Sequence, residues 1–134
     1  MPTVESQLLS EPVESLDLSD FCVVTADTPV RAVIARMRAV QQNCAIVVGQ
    51  GTQVVGILTD RDVLKKVVTA PESWDAPVAQ VMTAAPDTVT PESQTGAALR
   101  MMDEGHYRNV PVVSAQGVLR GNLTHFSILK FLTE

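Results

Sequence analysis

Residues 56–62 read Gly-Ile-Leu-Thr-Asp-Arg-Asp, and residues 121–127 read Gly-Asn-Leu-Thr-His-Phe-Ser, 65 positions later. A repeat at a fixed offset decides the architecture of a chain, because each copy must form the same supersecondary unit. The same offset relates other pairs without a gap: Val24-Thr25 with Val89-Thr90, Val47-Val48 with Val112-Val113, and Leu64-Lys65 with Leu129-Lys130. The chain is therefore a tandem of two similar units.

The first copy alternates strand-type and helix-type patterns. Phe21 to Thr25 is a short extended segment, and Thr28-Pro29 is typical of a helix start. The helix it opens carries apolar residues at helical spacing: Val30, Val33, Ile34, Met37 and Val40. Two strands follow, at 45–48 and 53–58, and Thr59-Asp60 begins a last helix whose apolar face is predicted to be Val63, Leu64 and Val67.

The second copy repeats this order. The pattern predicts an extended segment at 87–90, a helix from about Ser93 that stops at Gly105, strands at 110–113 and 118–123, and a helix from about Thr124 to Leu132. The order strand, helix, strand, strand, helix thus occurs twice. We expect an α+β fold of two pseudo-symmetric βαββα units packed through their sheets, because each small sheet has one face that its own helices leave uncovered.

The domain boundaries follow from the repeat. We predict a first domain at 12–69, a second at 77–134, an N-terminal extension at 1–11 and a linker at 70–76. The extension is expected either to lengthen the first copy or to pack on a neighbour.

Composition narrows the possible functions. An apolar fraction of 46% with 19% charged residues indicates a folded globular chain. A net charge of −5 argues against non-specific electrostatic binding of nucleic acid. No apolar stretch reaches the length of a membrane span, and no signal-peptide pattern opens the chain, so a cytoplasmic protein is expected. Two cysteines, Cys22 and Cys44, fit buried free thiols. His106 and His125 lack further ligands at suitable spacing, so no metal site is predicted.

Residues 56–62 lie where a strand gives way to a helix, which is a place receptive to phosphate. Thr59 offers a hydroxyl, Arg61 a guanidinium fork, and Asp62 a carboxylate that accepts two hydrogen bonds from a ribose diol. A second interpretation needs no ligand, because Thr59 and Asp62 also have the spacing of a capping box. The residues by themselves leave both interpretations open.

Three features give the chain a resemblance to a tandem pair of CBS domains, the Bateman module. They are the repeated βαββα order, the strand Tyr107-Arg108-Asn109-Val110-Pro111-Val112-Val113, and residues 56–62, which match the Gly-x-x-Thr/Ser-x-x-Asp nucleotide motif of that family. The resemblance covers nearly the whole chain from Pro12. It implies a cleft between the copies that holds an adenosine-type ligand such as AMP, ADP, ATP or S-adenosylmethionine, bound as a regulatory signal with no further cofactor.

The resemblance also implies a role for individual residues. Asp62 would contact the ribose, Thr59 and Arg61 the phosphate, and Ile57 the base. Arg108 from the second copy would reach phosphate. The other expected site residues are Met82, Asp87 and Thr88 in the lead-in to the second copy, which would line the adenine pocket, together with Tyr107 and Pro111.

The second copy departs from the family motif at its last position. Ser127 stands where the motif has Asp, and the partners from the first copy would be Asn43 and Cys44, which carry no positive charge. A serine cannot make the stronger charge-assisted hydrogen bonds. We therefore expect one competent nucleotide site and a second that is weak or empty.

These features predict a signal-transduction module that senses an adenosine nucleotide, acts on an unidentified effector protein and forms a homodimer. The alternative is a ligand-free dimerisation or interaction module. An enzyme is not expected, because no nucleophile pattern and no general acid-base pair occurs in the sequence.

Overall fold

The computed structural model describes residues 3–134. They form two compact units. The first unit is Phe21–Pro86, and the second unit combines residues 3–20 with Asp87–Glu134. The units therefore do not coincide with the sequence repeat, because the first residues of each copy belong to the unit that holds the rest of the other copy.

The first unit contains a four-stranded sheet in the order β1-β2-β3-β4. Strand β1 is parallel to β2, β2 is antiparallel to β3, and β3 is antiparallel to β4. The bounds of these strands are β1 (Cys22–Thr25), β2 (Cys44–Val48), β3 (Val54–Thr59) and β4 (Thr83–Ala84). Strand β2 is buried at every residue, which its continuous apolar sequence requires.

Helices of the first unit cover this sheet. Helix α2 (Val30–Ala39) follows β1, one residue later than the predicted start because Pro29 is the N-cap residue. Helix α3 (Asp60–Asp62) continues as a π-type turn at Val63–Val67. Val67 is fully buried, whereas Leu64 is 68% exposed, so the predicted apolar face of this helix was wrong at Leu64.

The second unit is built on the antiparallel pair β5 (Asn109–Val113) and β6 (Leu119–Thr124). Single bridges extend this pair on both sides, Val89 with Val112 and Ser19 with Asn122. The extended segment predicted at 87–90 is thus reduced to one bridge. The helices of this unit are α1 (Val4–Ser10), α4 (Thr95–Gly105) and α5 (His125–Thr133).

The N-terminal segment is part of the core of the second unit. Helix α1 packs on α4 and α5, and its Leu8 is buried. Residues 11–18 continue along the same unit, and two of their side chains enter the core, Val13 and Leu16. Residues 3–18 therefore contribute apolar surface to the core of the second unit.

Each unit has its own apolar core. In the first unit the core is a cluster of the buried residues Cys22, Val24, Val33, Met37, Ala45, Val47, Leu58 and Val78. In the second they are Leu8, Val13, Leu16, Val89, Ala98, Met102, Val110, Val112 and Leu123. Both cysteines are free and buried. Because Cys22 is paired with Ala45, it faces the opposite side of the sheet from Cys44, and burial raises the pKa of the Cys22 thiol.

The linker predicted at 70–76 folds as a 3₁₀ segment, Pro71–Asp75, within the first unit. Arg31 of α2 pairs with Asp75 at 3.3 Å and lies over the Trp74 ring, 5.4 Å from its centroid. These contacts are exposed, so they position the segment and add little stability.

Candidate functional site

The first motif lies at the junction of β3 and α3, where Thr59 is the N-cap residue. The Asp62 N–H donates to Thr59 Oγ1 at 3.3 Å, and the Thr59 N–H donates to Asp62 Oδ2 at 3.1 Å. This reciprocal pair is a capping box. The cap fixes the orientation of the Asp62 carboxylate, so the structural and the ligand-binding interpretations of these two residues are compatible.

The other carboxylate oxygen of Asp62 is held loosely. Oδ1 lies 3.5 Å from Thr83 Oγ1 and 3.5 Å from Lys66 Nζ. Both distances exceed those of strong charge-assisted bonds, which are about 2.5–2.9 Å. The Asp62 side chain is 14% exposed. An oriented, largely buried carboxylate with one weakly engaged oxygen can exchange its long contacts for shorter ones to a ligand hydroxyl.

The segment before the second copy packs against the first motif. Met82 lies against Gly56, where an added Cβ would collide with its side chain, and Thr83-Ala84 pairs with Gly56-Ile57. Lys66 Nζ also donates to the Val81 carbonyl at 3.2 Å. Ile57 is buried. Gly56 therefore leaves the space that the Met82 side chain occupies.

In the second unit, the lead-in to the second copy is tied to the strand β5. The Tyr107 hydroxyl donates a hydrogen bond to Asp87 Oδ2, and this bond raises the pKa of Tyr107. The Val89 N–H donates to the Pro111 carbonyl at 3.1 Å. The left-handed residue after α4 is His106 (φ 58°), not Gly105. Gly105 is needed for a different reason, since a Cβ there would collide with the Tyr107 ring.

The structure divides the ten predicted site residues equally between the units. Five belong to the first unit: Ile57, Thr59, Arg61, Asp62 and Met82. Five belong to the second: Asp87, Thr88, Tyr107, Arg108 and Pro111. Within the first group Thr59 contacts Asp62, and within the second Tyr107 contacts Asp87. Pro111 pairs with Asn122 in the sheet and accepts from the Val89 N–H. The Arg108 carbonyl accepts from the His125 N–H at 3.3 Å, which places Arg108 beside the start of α5.

The second motif has the same cap with a different environment. Thr124 and Ser127 form a capping box and are buried, with 0% and 3% exposure. The Ser127 hydroxyl donates to the Asp17 carbonyl at 2.5 Å, and the Lys130 ammonium lies 2.8 Å from Asp17 Oδ2. The hydroxyls of this motif are therefore already engaged by the chain, and a weak or empty second site stays our prediction.

Comparison with known proteins identifies the family of this chain. The sequence profile of the CBS domain family matches residues 13–69 and again residues 78–134. The chain belongs to the CBS domain family. The CBS domain-containing protein CBSCBSPB3 of Arabidopsis thaliana is 30% identical over 102 residues, which are 75% of this chain and 18% of that protein. The chain spans less than a fifth of the curated relatives it matches first.

Solved structures show the same fold for this CBS-domain chain. An uncharacterized conserved protein from Pyrococcus horikoshii superposes with a TM-score of 0.83 at 22% identity, covering 91% of this chain and 92% of its own. The CBS domain protein PAE2072 from Pyrobaculum aerophilum, complexed with AMP, gives 0.78 at 20% identity, covering 92% and 100%. The CBS domain pair of MJ0100, complexed with 5-methylthioadenosine and S-adenosyl-L-methionine, gives 0.78 at 17%, covering 90% and 98%. The predicted α+β fold of a CBS-domain pair is confirmed.

The sequence did not point to four polar residues around the two motifs of this CBS-domain chain. Lys66 and Thr83 contact the Asp62 carboxylate in the first unit, and Asp17 and Lys130 form the ion pair beside Ser127 in the second. The two lysines lie one turn after the motif and could have been found by helical spacing. Asp17 and Thr83 are distant from the motifs in sequence and contact them only in the folded chain, so the spacing of residues does not reveal these contacts.

Two further observations concern classes of function. No helix within residues 3–134 is both long and apolar enough to span a bilayer. In the same part of the chain, His, Cys, Asp and Glu side chains do not gather in groups of three or more that could hold a metal ion.

Proposed function

We propose that the chain is a regulatory module that binds an adenosine-type ligand at the first motif. The observation that carries this proposal is the state of the Asp62 carboxylate. Thr59 orients it through one oxygen, while the contacts of the other oxygen within residues 3–134 are 3.5 Å long. A carboxylate in this state suits a ribose diol, because two hydroxyl donors can form the short charge-assisted bonds that Thr83 and Lys66 do not.

The proposed roles of the other residues are taken from the family resemblance. Ile57 and Met82 supply apolar surface beside Asp62 for a flat base, and Thr59 and Arg61 lie at the start of α3, where phosphate is favoured. We propose that Arg108 also binds phosphate. Asp87, Thr88, Tyr107 and Pro111 are proposed to contribute contacts to the base.

Related structures support an adenosine ligand as a class. PAE2072 was crystallised with AMP, and the MJ0100 domain pair with 5-methylthioadenosine and S-adenosyl-L-methionine. These ligands share adenine and ribose and differ in the substituent that the ribose carries. We therefore propose recognition of the nucleoside part by Asp62 and of a phosphate by the arginines, with AMP, ADP or ATP as candidates alongside S-adenosylmethionine.

We propose that the role of the module is regulatory and not catalytic. Ligand binding would change the balance between two arrangements of the module, and an effector protein would bind one arrangement more tightly. The ligand must therefore have different affinities for the two arrangements. The effector and the cytoplasmic location remain parts of the proposal.

Isothermal titration calorimetry with AMP, ADP, ATP and S-adenosylmethionine tests the proposal. Asp62→Asn keeps the shape of the side chain and removes its charge, so we expect affinity to fall about tenfold or more, since a hydrogen bond to a charged group contributes about 1.5–3 kcal/mol. The matched control is Asp75→Asn, an exposed carboxylate of the same unit, which should leave affinity unchanged. Wild-type protein that binds none of the four ligands below millimolar concentration would exclude the proposal.

Exposed apolar side chains favour a second candidate, a dimerisation module. Leu64 and Leu129 occupy the same repeat position and are 68% and 54% exposed, and Val68 and Phe126 are also exposed. Apolar residues at the same position of both copies suit a two-fold interface. Light scattering on a size-exclusion column measures the oligomeric state, and the double variant Leu64→Lys with Leu129→Lys should convert a dimer to a monomer. Thermal denaturation with and without nucleotide is the second measurement. If dimerisation is the only function, nucleotide should leave the melting temperature unchanged.

A further inference from the structure

Each motif is surrounded by a carboxylate, a hydroxyl and a lysine ammonium. The lysine is on the helix in both units, but the carboxylate and the hydroxyl have exchanged segments. In the first unit the helix supplies the carboxylate, Asp62, and the packed lead-in supplies a hydroxyl, Thr83. In the second unit the helix supplies the hydroxyl, Ser127, and the lead-in supplies the carboxylate, Asp17. The carboxylate missing from the second motif is therefore present nearby, on a different segment.

The exchanged carboxylate is saturated by the chain itself. Asp17 Oδ1 accepts from the Ser19 N–H at 2.9 Å and from the Ser19 hydroxyl at 2.5 Å, and Oδ2 accepts from Lys130 at 2.8 Å. Its main-chain carbonyl accepts a hydrogen bond from the Ser127 hydroxyl. Ser127 also accepts from the Thr124 N–H at 3.1 Å, so both the donor and an acceptor site of its hydroxyl are engaged.

The neighbouring residues strengthen this attachment. The Asn122 N–H donates to the Leu18 carbonyl at 2.9 Å, and the Asn122 side-chain amide donates to the Asp20 carbonyl at 3.1 Å. Leu18 Cβ would lie 2.6 Å from a Cβ placed on Gly121. The lead-in of the first unit is also held to its strand, through the pairing of Thr83-Ala84 with Gly56-Ile57, but its side-chain contacts with Asp62 are 3.5 Å long. The two units therefore differ in the polar side-chain contacts between lead-in and motif, which are short at the second motif and long at the first.

We propose that residues 16–19, anchored by Asp17, are an intramolecular occupant that silences the second motif. The segment takes the hydroxyl of Ser127 and the ammonium of Lys130, which a ribose or a phosphate would otherwise bind. A nucleotide can use the second motif only when this segment is displaced. This inference rests on the proposed function, because it concerns the same class of ligand.

Restoring the arrangement of the first motif tests the proposal. AMP is titrated calorimetrically into the full chain as wild type, Ser127→Asp, Asp17→Ser, and the double variant. A carboxylate at position 127 faces the carbonyl and the carboxylate of Asp17, so Ser127→Asp alone should still bind one AMP per chain. The double variant removes the like charge and frees Lys130, and it should bind two. The Asp17→Ser control keeps Ser127 and should bind one.

Two results would overturn the inference: a second AMP bound by Ser127→Asp alone, or a folded double variant that binds only one. If the double variant does not fold, Ser127→Asp with Asp17→Asn removes the like charge, keeps the volume at position 17 and leaves Lys130 in place. Millimolar AMP should then shift the backbone NMR signals of residues 122–127, and unshifted signals refute the occupant.

The failure of the proposed function gives a different pattern. Wild type would then bind no AMP, and the silencing would stand only if the double variant bound one AMP per chain.

Discussion

Asp17 is a carboxyl group whose ionisation depends strongly on its partners. Hydrogen bonds from Lys130 and then from Ser19 hold the pKa of Asp17 far below its ordinary value. A carboxyl whose pKa is lowered by folding stabilises the folded state above its unfolded pKa of about 3.9, and that contribution is lost as the pH falls from there. The contribution is modest because the pair is partly exposed and screened by salt.

Asp17→Asn should therefore lower the melting temperature at pH 7, and this difference should shrink steadily as the pH falls below about 4. Chemical or thermal denaturation from pH 7 to pH 2 measures the difference between the two proteins. The difference should also shrink in 1 M NaCl, where the Debye length is about 3 Å. A difference that is constant over this pH range would show that the charge of Asp17 does not stabilise the fold.

Gly121 is a residue whose missing side chain is required by a close contact. An added methyl group would lie 2.6 Å from Leu18 Cβ, so Gly121→Ala should destabilise the chain by about 1–3 kcal/mol through overpacking. Urea denaturation measures the loss. Leu18→Ala combined with Gly121→Ala keeps the clashing Cβ but removes the rest of the leucine side chain, so it should recover only part of the stability. Equal stability of Gly121→Ala and wild type would refute the contact.

At this scale the sequence was informative where a residue acts on its near neighbours. The cap formed by Thr59 and Asp62 depends on a spacing of three residues, and it is present. The structure has a cap of the same spacing at Thr124 and Ser127. The contacts of Asp17 and Thr83 could not be inferred in this way, because they join segments that are distant in sequence and near only after folding.

The last helix of the first copy shows how an element can depart from its sequence pattern. An i, i+3, i+4 pattern assumes a regular α-helix, but residues 63–67 form a π-type turn in which the Val68 N–H donates to the Val63 carbonyl at 3.0 Å. The turn changes the angular position of each residue. Val67 is consequently buried, whereas Leu64 is exposed to solvent.

This difference gives a matched pair of variants. Val67→Ala should cost about 2 kcal/mol, because it removes two buried carbons and leaves a cavity. Leu64→Ala should change stability by less than about 0.5 kcal/mol in the monomer, as exposed substitutions do. Denaturant midpoints at low protein concentration measure both. Equal losses for the two variants would mean that the regular-helix prediction was right after all.

Strand boundaries were less predictable than helix boundaries for a related reason. The segment at 87–90 has the composition of the first strand of its copy, yet it forms one bridge, at Val89. The short strand β4 instead lies a few residues earlier, at Thr83–Ala84, where it pairs with β3. Pairing depends on which edge is within reach, and composition does not encode that.

At the scale of the whole molecule, the repeat predicted two copies but not the path of the chain between them. Residues 13–20 begin the first copy but belong to the unit that holds most of the second, while residues 77–86 begin the second copy but belong to the unit that holds most of the first. The repeat is equally consistent with lead-ins that stay in their own copies. The crossing is therefore a property of the folded chain that internal similarity leaves undetermined.

Deletion of residues 1–20 should consequently weaken the second unit more than the first. The deletion removes Leu8, Val13 and Leu16 from the core of the second unit, and it leaves every strand of the first in place. Hydrogen exchange measured by mass spectrometry should show lost protection in β5, β6 and α5, with β1 to β3 still protected. Lost protection first in β1 to β3 would contradict the assignment of the N-terminal segment.

The packing of β4 on β3 has a practical consequence for anyone who would dissect the chain. A fragment cut at the repeat boundaries, 12–69, lacks β4 and therefore leaves one edge of Val54–Thr59 unpaired. Its first residues, 12–20, also lose the unit on which they pack. Unpaired backbone donors and acceptors on a strand edge pair with strands of other molecules, so that fragment is expected to aggregate. Residues 21–86 retain β4 on this edge and are the better minimal fragment.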